Sequence, residues 1–232
     1  MATKKNSLSV DAIVKMILFI LIMPFITILI SWKWDWWEAW VYGILSVVGF
    51  AVSRRLAVQR NPDIMAERAS YGKQDDTQPW DKILSPLVAL GSIFILIAAG
   101  LDMLFAWPPS FSLPVKVIAL IIIIAGYSLG SWALIENRYF SGVVRLQTDR
   151  GHSVVSSGPY RFVRHPGYAG TVITYLAIPF LLDSAWALVP AVILVGLLFL
   201  RTALEDRFLQ DNLSGYKDFT LKTRFRLIPG IW

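Results

Sequence analysis

Six stretches of this chain carry almost no charge: Ile13–Ile30, Trp36–Val52, Ile83–Ala106, Leu113–Leu134, Tyr168–Leu182 and Trp186–Leu204. They are 15–24 residues long, and at about 1.5 Å of rise per helical residue most can cross ~30 Å of hydrocarbon. Together they amount to more apolar helix than a soluble domain of this length can hide around one core. Apolar residues make up 56% of the chain and charged residues 16%, against about 45–50% and about 25% in ordinary soluble domains. Disorder and collagen-like repeats are excluded. The absence of cysteine removes disulfides, thiolate nucleophiles and Cys-ligated metals. The pattern predicts an all-α, polytopic integral membrane protein of about six transmembrane helices, forming a single domain over residues 1–232. The Leu182-Asp183-Ser184 break predicts a tight turn that pairs the last two spans as a helical hairpin.

Charge placement tests this reading independently. With the N-terminus in the cytoplasm, the inner segments are 1–12, 53–82, 135–167 and 205–232, and they hold 18 of the 22 basic residues. Only Lys33 and Lys116 fall on the outer side, and Lys15 and Arg201 lie within spans, as the positive-inside rule expects. Topology and contact with anionic lipid therefore account for the +6 charge without nucleic acid as a partner. Trp32, Trp34, Trp36, Trp37 and Trp40 crowd the first outer turn like an interfacial aromatic belt. The inner loops are long and the outer ones short, so the chemistry is expected on the cytoplasmic side, with both termini there.

Charges inside spans need reasons, because each costs about 2.5–3.5 kcal/mol at a helix centre. Lys15 can snorkel to the interface. Glu38 and Asp102, near outer ends, are expected to be solvated or to cap helices. Arg201 follows a long apolar run and precedes Glu205 and Asp206. Residues 201 and 205 share a helix face, which fits either an intrahelical ion pair or a charged pocket at the inner rim. Gly126 and Gly130 form a small-xxx-small pair, read chiefly as close helix packing.

The segment from Gly151 to Gly170 holds both histidines of the chain, His152 and His165, and it follows directly on Arg150. Pro166 stands where the first residue of a helix would be, and Arg164 and His165 beside a helix N-terminus suit an anionic group. Two histidines this far apart without cysteine make a poor metal site, so none is expected.

Gly158-Pro159-Tyr160-x-x-Val163-Arg164-His165-Pro166-x-Tyr168-x-Gly170 resembles the Arg-His-Pro-x-Tyr signature of the isoprenylcysteine carboxyl methyltransferase (ICMT) family. Phospholipid methyltransferases share a related pattern. The acidic pair Glu205-Asp206 has Asp where many members have a second Glu, and the tail Gly215-Tyr216-x-x-Phe219 and Arg224-Phe225-Arg226-Leu227-Ile228-Pro229-Gly230 also resembles the family. The likeness covers about 136–232. Earlier it rests on hydropathy and on Asn61-Pro62-x-x-Met65-Ala66-Glu67-Arg68.

The resemblance implies S-adenosyl-L-methionine as cofactor, a lipid or lipid-linked small molecule as substrate, and residues 135–232 as the cofactor-binding and catalytic region behind the helices of 1–134. No Gly-x-Gly-x-x-Gly strand–turn–helix motif is present, so a Rossmann cofactor site is excluded. Cofactor-binding candidates are Tyr160, Arg164, His165, Pro166, Tyr168, Gly170, Glu205, Asp206, Tyr216 and Phe219. Arg164, His165 and nearby amides would serve the methionine carboxylate, Glu205 its ammonium, and the aromatic rings the sulfonium and adenine. Arg201, Arg224 or Arg226 would orient an acceptor carboxylate. Glu205 or Asp206 would take a proton from an amine acceptor. Carboxyl O-methylation is favoured. Lipid amine N-methylation, a sterol or enone reductase using a nicotinamide cofactor, and a non-catalytic transporter or scaffold are the alternatives.

Overall fold

A computed structural model describes residues 20–72, 74–107 and 110–232. The start of the first predicted span, with Lys4, Lys5 and Lys15, lies outside the described residues. Eight helices carry the description: α1 Ile20–Ser31, α2 Trp37–Arg60, α3 Ile64–Ala69, α4 Asp81–Phe105, α5 Leu113–Glu136, α6 Pro166–Leu181, α7 Leu188–Asn212 and α8 Tyr216–Lys222. No strand occurs among the described residues. Helices α2, α4, α5 and α7 are long and apolar enough to cross a membrane, while α1 and α6 are shorter apolar helices. This is a polytopic, all-helical membrane protein.

Two helices run well beyond their apolar stretches. α2 continues past Val52 to Arg60, and α7 past Leu204 to Asn212. Arg, Leu, Ala, Gln and Glu are good helix formers, so the helix outlasts the hydropathy. That extension carries Arg54, Glu205 and Asp206 into the polar region on regular backbone. α6 opens on Pro166, whose missing N–H costs nothing at a first helical position. Its 16 residues reach only about 24 Å. The chain then turns through Asp183 in the left-handed region (φ 56°) and re-enters as α7, giving the expected hairpin.

Small residues let α5 and α6 touch along their backbones. A Cβ on Gly170 would lie 2.5 Å from the Gly126 carbonyl oxygen and 2.9 Å from the Gly130 nitrogen, and one on Gly126 would lie 2.2 Å from Thr174 Oγ1. The Gly126/Gly130 pair is thus consumed by a crossing within the chain. Gly170, a cofactor-binding candidate from the sequence, sits at this crossing.

Of the two expectations for the outer carboxylates, burial rules out solvation, while Asp102 serves the turn that leads into α7. Glu38 is 5% exposed and Asp102 3%. Lys116 Nζ lies 2.7 Å from Glu38 and 2.9 Å from Asp183, tying α2, α5 and the hairpin turn together. Asp102 Oδ2 accepts the Ser184 hydroxyl at 2.6 Å and the Trp186 amide at 3.4 Å, so a carboxylate on α4 holds the turn that leads into α7. The aromatic belt also loses one member. Trp36 is packed in the core, whereas Trp32, Trp34, Trp37 and Trp40 stay exposed.

The crossing yields a graded prediction. Gly170→Ala should destabilise the detergent-solubilised protein by about 1–3 kcal/mol through overpacking, and it should lower Tm clearly. Gly130→Ala, whose Cβ would meet nothing within 4 Å, should leave Tm nearly unchanged. Thermal unfolding of the two variants side by side checks this.

Candidate functional site

At the basic end of the bundle, the chain between α5 and α6 does not wander over the surface. Gln78 N donates to the Val144 carbonyl at 2.9 Å, and Val144 N donates to Asp81 Oδ2 at 2.6 Å. Arg145 is buried and bidentate on Glu67 (3.1 and 2.9 Å), with Asp76 and Asp149 also on its guanidinium. These partners hold Arg145 well above its ordinary pKa even though burial opposes the charge. Buried Gln147 donates to the Tyr139 carbonyl at 2.7 Å. Packed in this way, the segment forms one wall of a polar cavity of about 110 Å³.

The opposite wall is the turn into α6 and the C-terminal tail, joined through one carboxylate. Asp206 has no exposed side-chain surface. It accepts from Arg164 Nε and Nη2 at 2.7 and 2.9 Å, Arg226 Nε at 2.9 Å, Gln210 Nε2 at 2.8 Å and the Tyr216 hydroxyl at 3.1 Å. His165 Nε2 lies 3.3 Å away. Arg164 also donates through Nη1 to the carbonyls of Thr223 and Arg224, which leaves a single N–H of its five uncommitted. Backbone bonds from Arg164 N to Phe225 O (2.9 Å) and His165 N to Arg226 O (3.0 Å) zip the tail to the turn.

This arrangement sorts the residues that the sequence brings forward. Tyr160, Arg164, His165, Tyr168, Glu205, Tyr216 and Phe219 all line the cavity. Pro166 is buried at the head of α6. Asp206 lies beneath the cavity with both oxygens occupied, and Arg226 pairs with it while covering Trp232 at 4.9 Å. Arg224 is exposed on the tail and contributes its carbonyl to Arg164. Arg201 does not pair with Glu205. Its guanidinium is bidentate on Asp81 of α4 (2.7 and 3.0 Å), donates to the Gly142 carbonyl, and lies over the Tyr168 ring at 5.3 Å.

Glu205 is the carboxylate left for a ligand. Its side chain is 21% exposed, and the Tyr168 hydroxyl donates to it at 2.6 Å. If Asp206 fixes the hydrogen of His165 on Nε2, Nδ1 is left as an acceptor, and it lies 4.0 Å from Glu205 Oε1. Burial, with Asp206 next, pushes the Tyr216 hydroxyl up, and burial does the same for Tyr160, so both keep their protons. His152, which also lines the cavity, is drawn down to about 4 by burial and then by Arg145 and Arg150. It is neutral at pH 7 and accepts from Gln147 N at 3.3 Å.

Sequence reasoning missed Asp81, Glu67, Asn137 and Tyr139 as parts of this site. Asp81 had a usable signal: an acid at the head of one span, at the depth where Arg201 of another needs a counter-charge. The loop partners had none, since their pairing depends on an irregular path.

The Asp206 network makes a prediction. Asp206→Asn should destabilise the fold by about 3–5 kcal/mol, because it strands Arg164 and Arg226. It should also expose the chain after Phe219 to limited proteolysis. Arg226→Ala, at a side chain 32% exposed, should cost much less. Tm together with the position of cleavage reads both.

A second cavity, of about 500 Å³, lies among α1, α2, α5 and α6, and Phe140 and Gly167 line both cavities. A Cβ on Gly167 would come within 2.7 Å of the Phe140 ring. A single aromatic ring seated on a glycine thus lines both the chamber rich in polar side chains and the larger, mostly apolar one, which carries Arg54 and Arg68.

Residues 118–211 match the family model described as "Isoprenylcysteine carboxyl methyltransferase (ICMT) family". Two curated proteins, each named "Probable protein-S-isoprenylcysteine O-methyltransferase" and from Oryza sativa subsp. indica and subsp. japonica, are 33% identical over 60 residues. That stretch is 25% of this chain and 31% of each relative, so the chain spans under a third of the curated relatives it matches. The match contains the turn into α6, the hairpin and the Glu205-Asp206 pair, and over residues 118–211 this chain is similar to the isoprenylcysteine carboxyl methyltransferase family.

Proposed function

We propose that the protein is an S-adenosylmethionine-dependent integral membrane methyltransferase that O-methylates the carboxylate of an isoprenylcysteine-like or other lipid-linked acceptor. The observation that carries this reading is the adjacency of two unlike cavities across Phe140 and Gly167. A polar chamber suits a water-soluble donor, and a larger, mostly apolar one suits a lipid. With the basic loops in the cytoplasm, the donor enters from the cytosol and the acceptor from the bilayer.

The side chains around the smaller chamber offer the groups that the donor's charges and rings require. Glu205 and His165 Nδ1 offer acceptors to an ammonium group. The first amides of α6, at Gly167 and Tyr168, precede the helix's own hydrogen-bond ladder and suit a carboxylate. Tyr160, Tyr168, Tyr216 and Phe219 give aromatic faces for a sulfonium and a purine. Because Asp206 and the tail carbonyls engage Arg164, its part is to shape the turn. When bound, S-adenosylmethionine supplies an electrophilic methyl group, whose bonding electron pair stays with sulfur on transfer. A carboxylate acceptor carries no proton to remove, so the protein's contribution is positioning and exclusion of water. Tyr168, held between Glu205 and the Arg201 guanidinium, fixes the floor of that geometry.

Calorimetry of the detergent-purified protein should detect S-adenosylhomocysteine and not a nicotinamide dinucleotide; the reverse outcome would sink this reading in favour of a reductase. Glu205→Ala and His165→Ala should each weaken S-adenosylhomocysteine by about tenfold or more, the worth of a charge-assisted hydrogen bond. Methylated product should release methanol in alkali, as an ester does. Alkali-stable methyl incorporation would assign the chemistry to an amine instead.

A further inference from the structure

A carboxylate acceptor calls for a cation, and the arginines that the sequence nominated are engaged elsewhere. Arg201 is committed to Asp81 and Arg226 to Asp206, and Arg224 projects from the exposed tail. Two other arginines line the basic end of the larger cavity, Arg54 near the end of α2 and Arg68 on α3. Among the described residues neither has a carboxylate partner or a hydrogen-bond acceptor, and Arg68 Nη1 is buried with no partner at all. Each lies over an aromatic ring instead: Arg54 over Phe50 at 4.5 Å and Arg68 over Phe140 at 5.6 Å.

Two guanidinium groups facing one cavity without an anion are costly, since burial and like charge both oppose them. Burial first, and then the charge of Arg201, holds Arg68 below its ordinary pKa. An anion placed between the two would relieve this. The remainder of the cavity follows α2 from Arg54 back to Tyr42, twelve residues or about 18 Å of helix. Its lining is largely apolar, with the Ser46–Tyr127 hydroxyl pair (3.0 Å) part-way along. The basic end, at Arg68, abuts Phe140, the ring that also lines the polar chamber.

We propose that Arg54 and Arg68 are the acceptor-specificity residues: they hold the free carboxylate of the lipid acceptor against the Phe140 partition while its hydrocarbon lies along the cavity toward Tyr42. This rests on the methyltransferase reading above and narrows it to acidic lipids. The family match begins at residue 118. Arg54 lies outside it and outside the Asn61–Arg68 loop that resembles the family, so it is the position where acceptor choice can differ among proteins sharing one donor site.

The test is equilibrium binding to the full-length, detergent-purified protein, with N-acetyl-S-farnesylcysteine as probe and its methyl ester as the neutral twin. The free acid should bind at least about tenfold more tightly than the ester. Arg54→Gln and Arg68→Gln should each erase most of that difference, keep S-adenosylhomocysteine affinity, and leave Tm equal to or above that of the unaltered protein. Equal binding of acid and ester by the unaltered protein would overturn the proposal without any variant. So would variants that keep the full discrimination, or competition by phosphatidylglycerol as strong as by the free acid. Loss of S-adenosylhomocysteine binding in the unaltered protein would instead sink the methyltransferase reading, so the two failures are distinguishable.

Discussion

The carboxylate of Asp206, wholly withdrawn from solvent, is the point on which the polar end of this molecule hangs. It gathers Arg164 and His165 from the turn before α6, Gln210 from its own helix, Tyr216 from α8 and Arg226 from the tail. Removing one partner from such a cluster leaves buried charge uncompensated, so its members are interdependent. The consequence is architectural. The chain from Thr223 to Arg226 lacks regular secondary structure, yet its carbonyls are held by Arg164 and by the backbone of the turn. By occupying both oxygens of Asp206, the network leaves Glu205, one residue earlier and rotated by about 100° on the helix, as the acid that faces the cavity.

A second constraint sets how closely the walls approach. Gly126 and Gly170 let α5 and α6 cross at backbone contact, and Gly167, one turn before Gly170, receives the Phe140 ring instead. Small residues spaced along one face of α6 thereby do two jobs: they close the helix pair and seat the ring between the chambers. The buried Arg201–Asp81 pair fastens α7 to α4 at the same level. The polar chamber is thus bounded by helices anchored on three sides, with the loop 137–157 pinned by Glu67 and Asp81.

Much of this arrangement is legible in the sequence. Long uncharged runs fixed the helices, and the Arg164-His165-Pro166 turn with Glu205-Asp206 marked which residues would converge. The individual roles were less legible. Adjacent acids look alike in a sequence, yet Asp206 is sealed under five side chains while Glu205 opens to the cavity. Arg201 read either as a partner for Glu205, since i,i+4 neighbours share a face, or as part of a charged rim pocket; Asp81, 120 positions earlier, takes it in a bidentate fit. Glu38 and Asp102 read as solvated or capping carboxylates, and their burial was not legible because hydropathy says nothing of lateral packing between helices. Arg54 and Arg68 were invisible as a pair, since they meet only when α2 and α3 fold around one cavity.

The central claim is that a water-soluble methyl donor and an acidic lipid occupy neighbouring chambers divided by Phe140. An experimental structure of the protein with S-adenosylhomocysteine tests it most directly. The account predicts the amino-acid end of that ligand at Glu205 and His165 in the polar chamber, its sulfur toward Phe140, and the larger cavity still open to lipid. The same ligand seated in the larger cavity, or against Arg54 and Arg68, would contradict it.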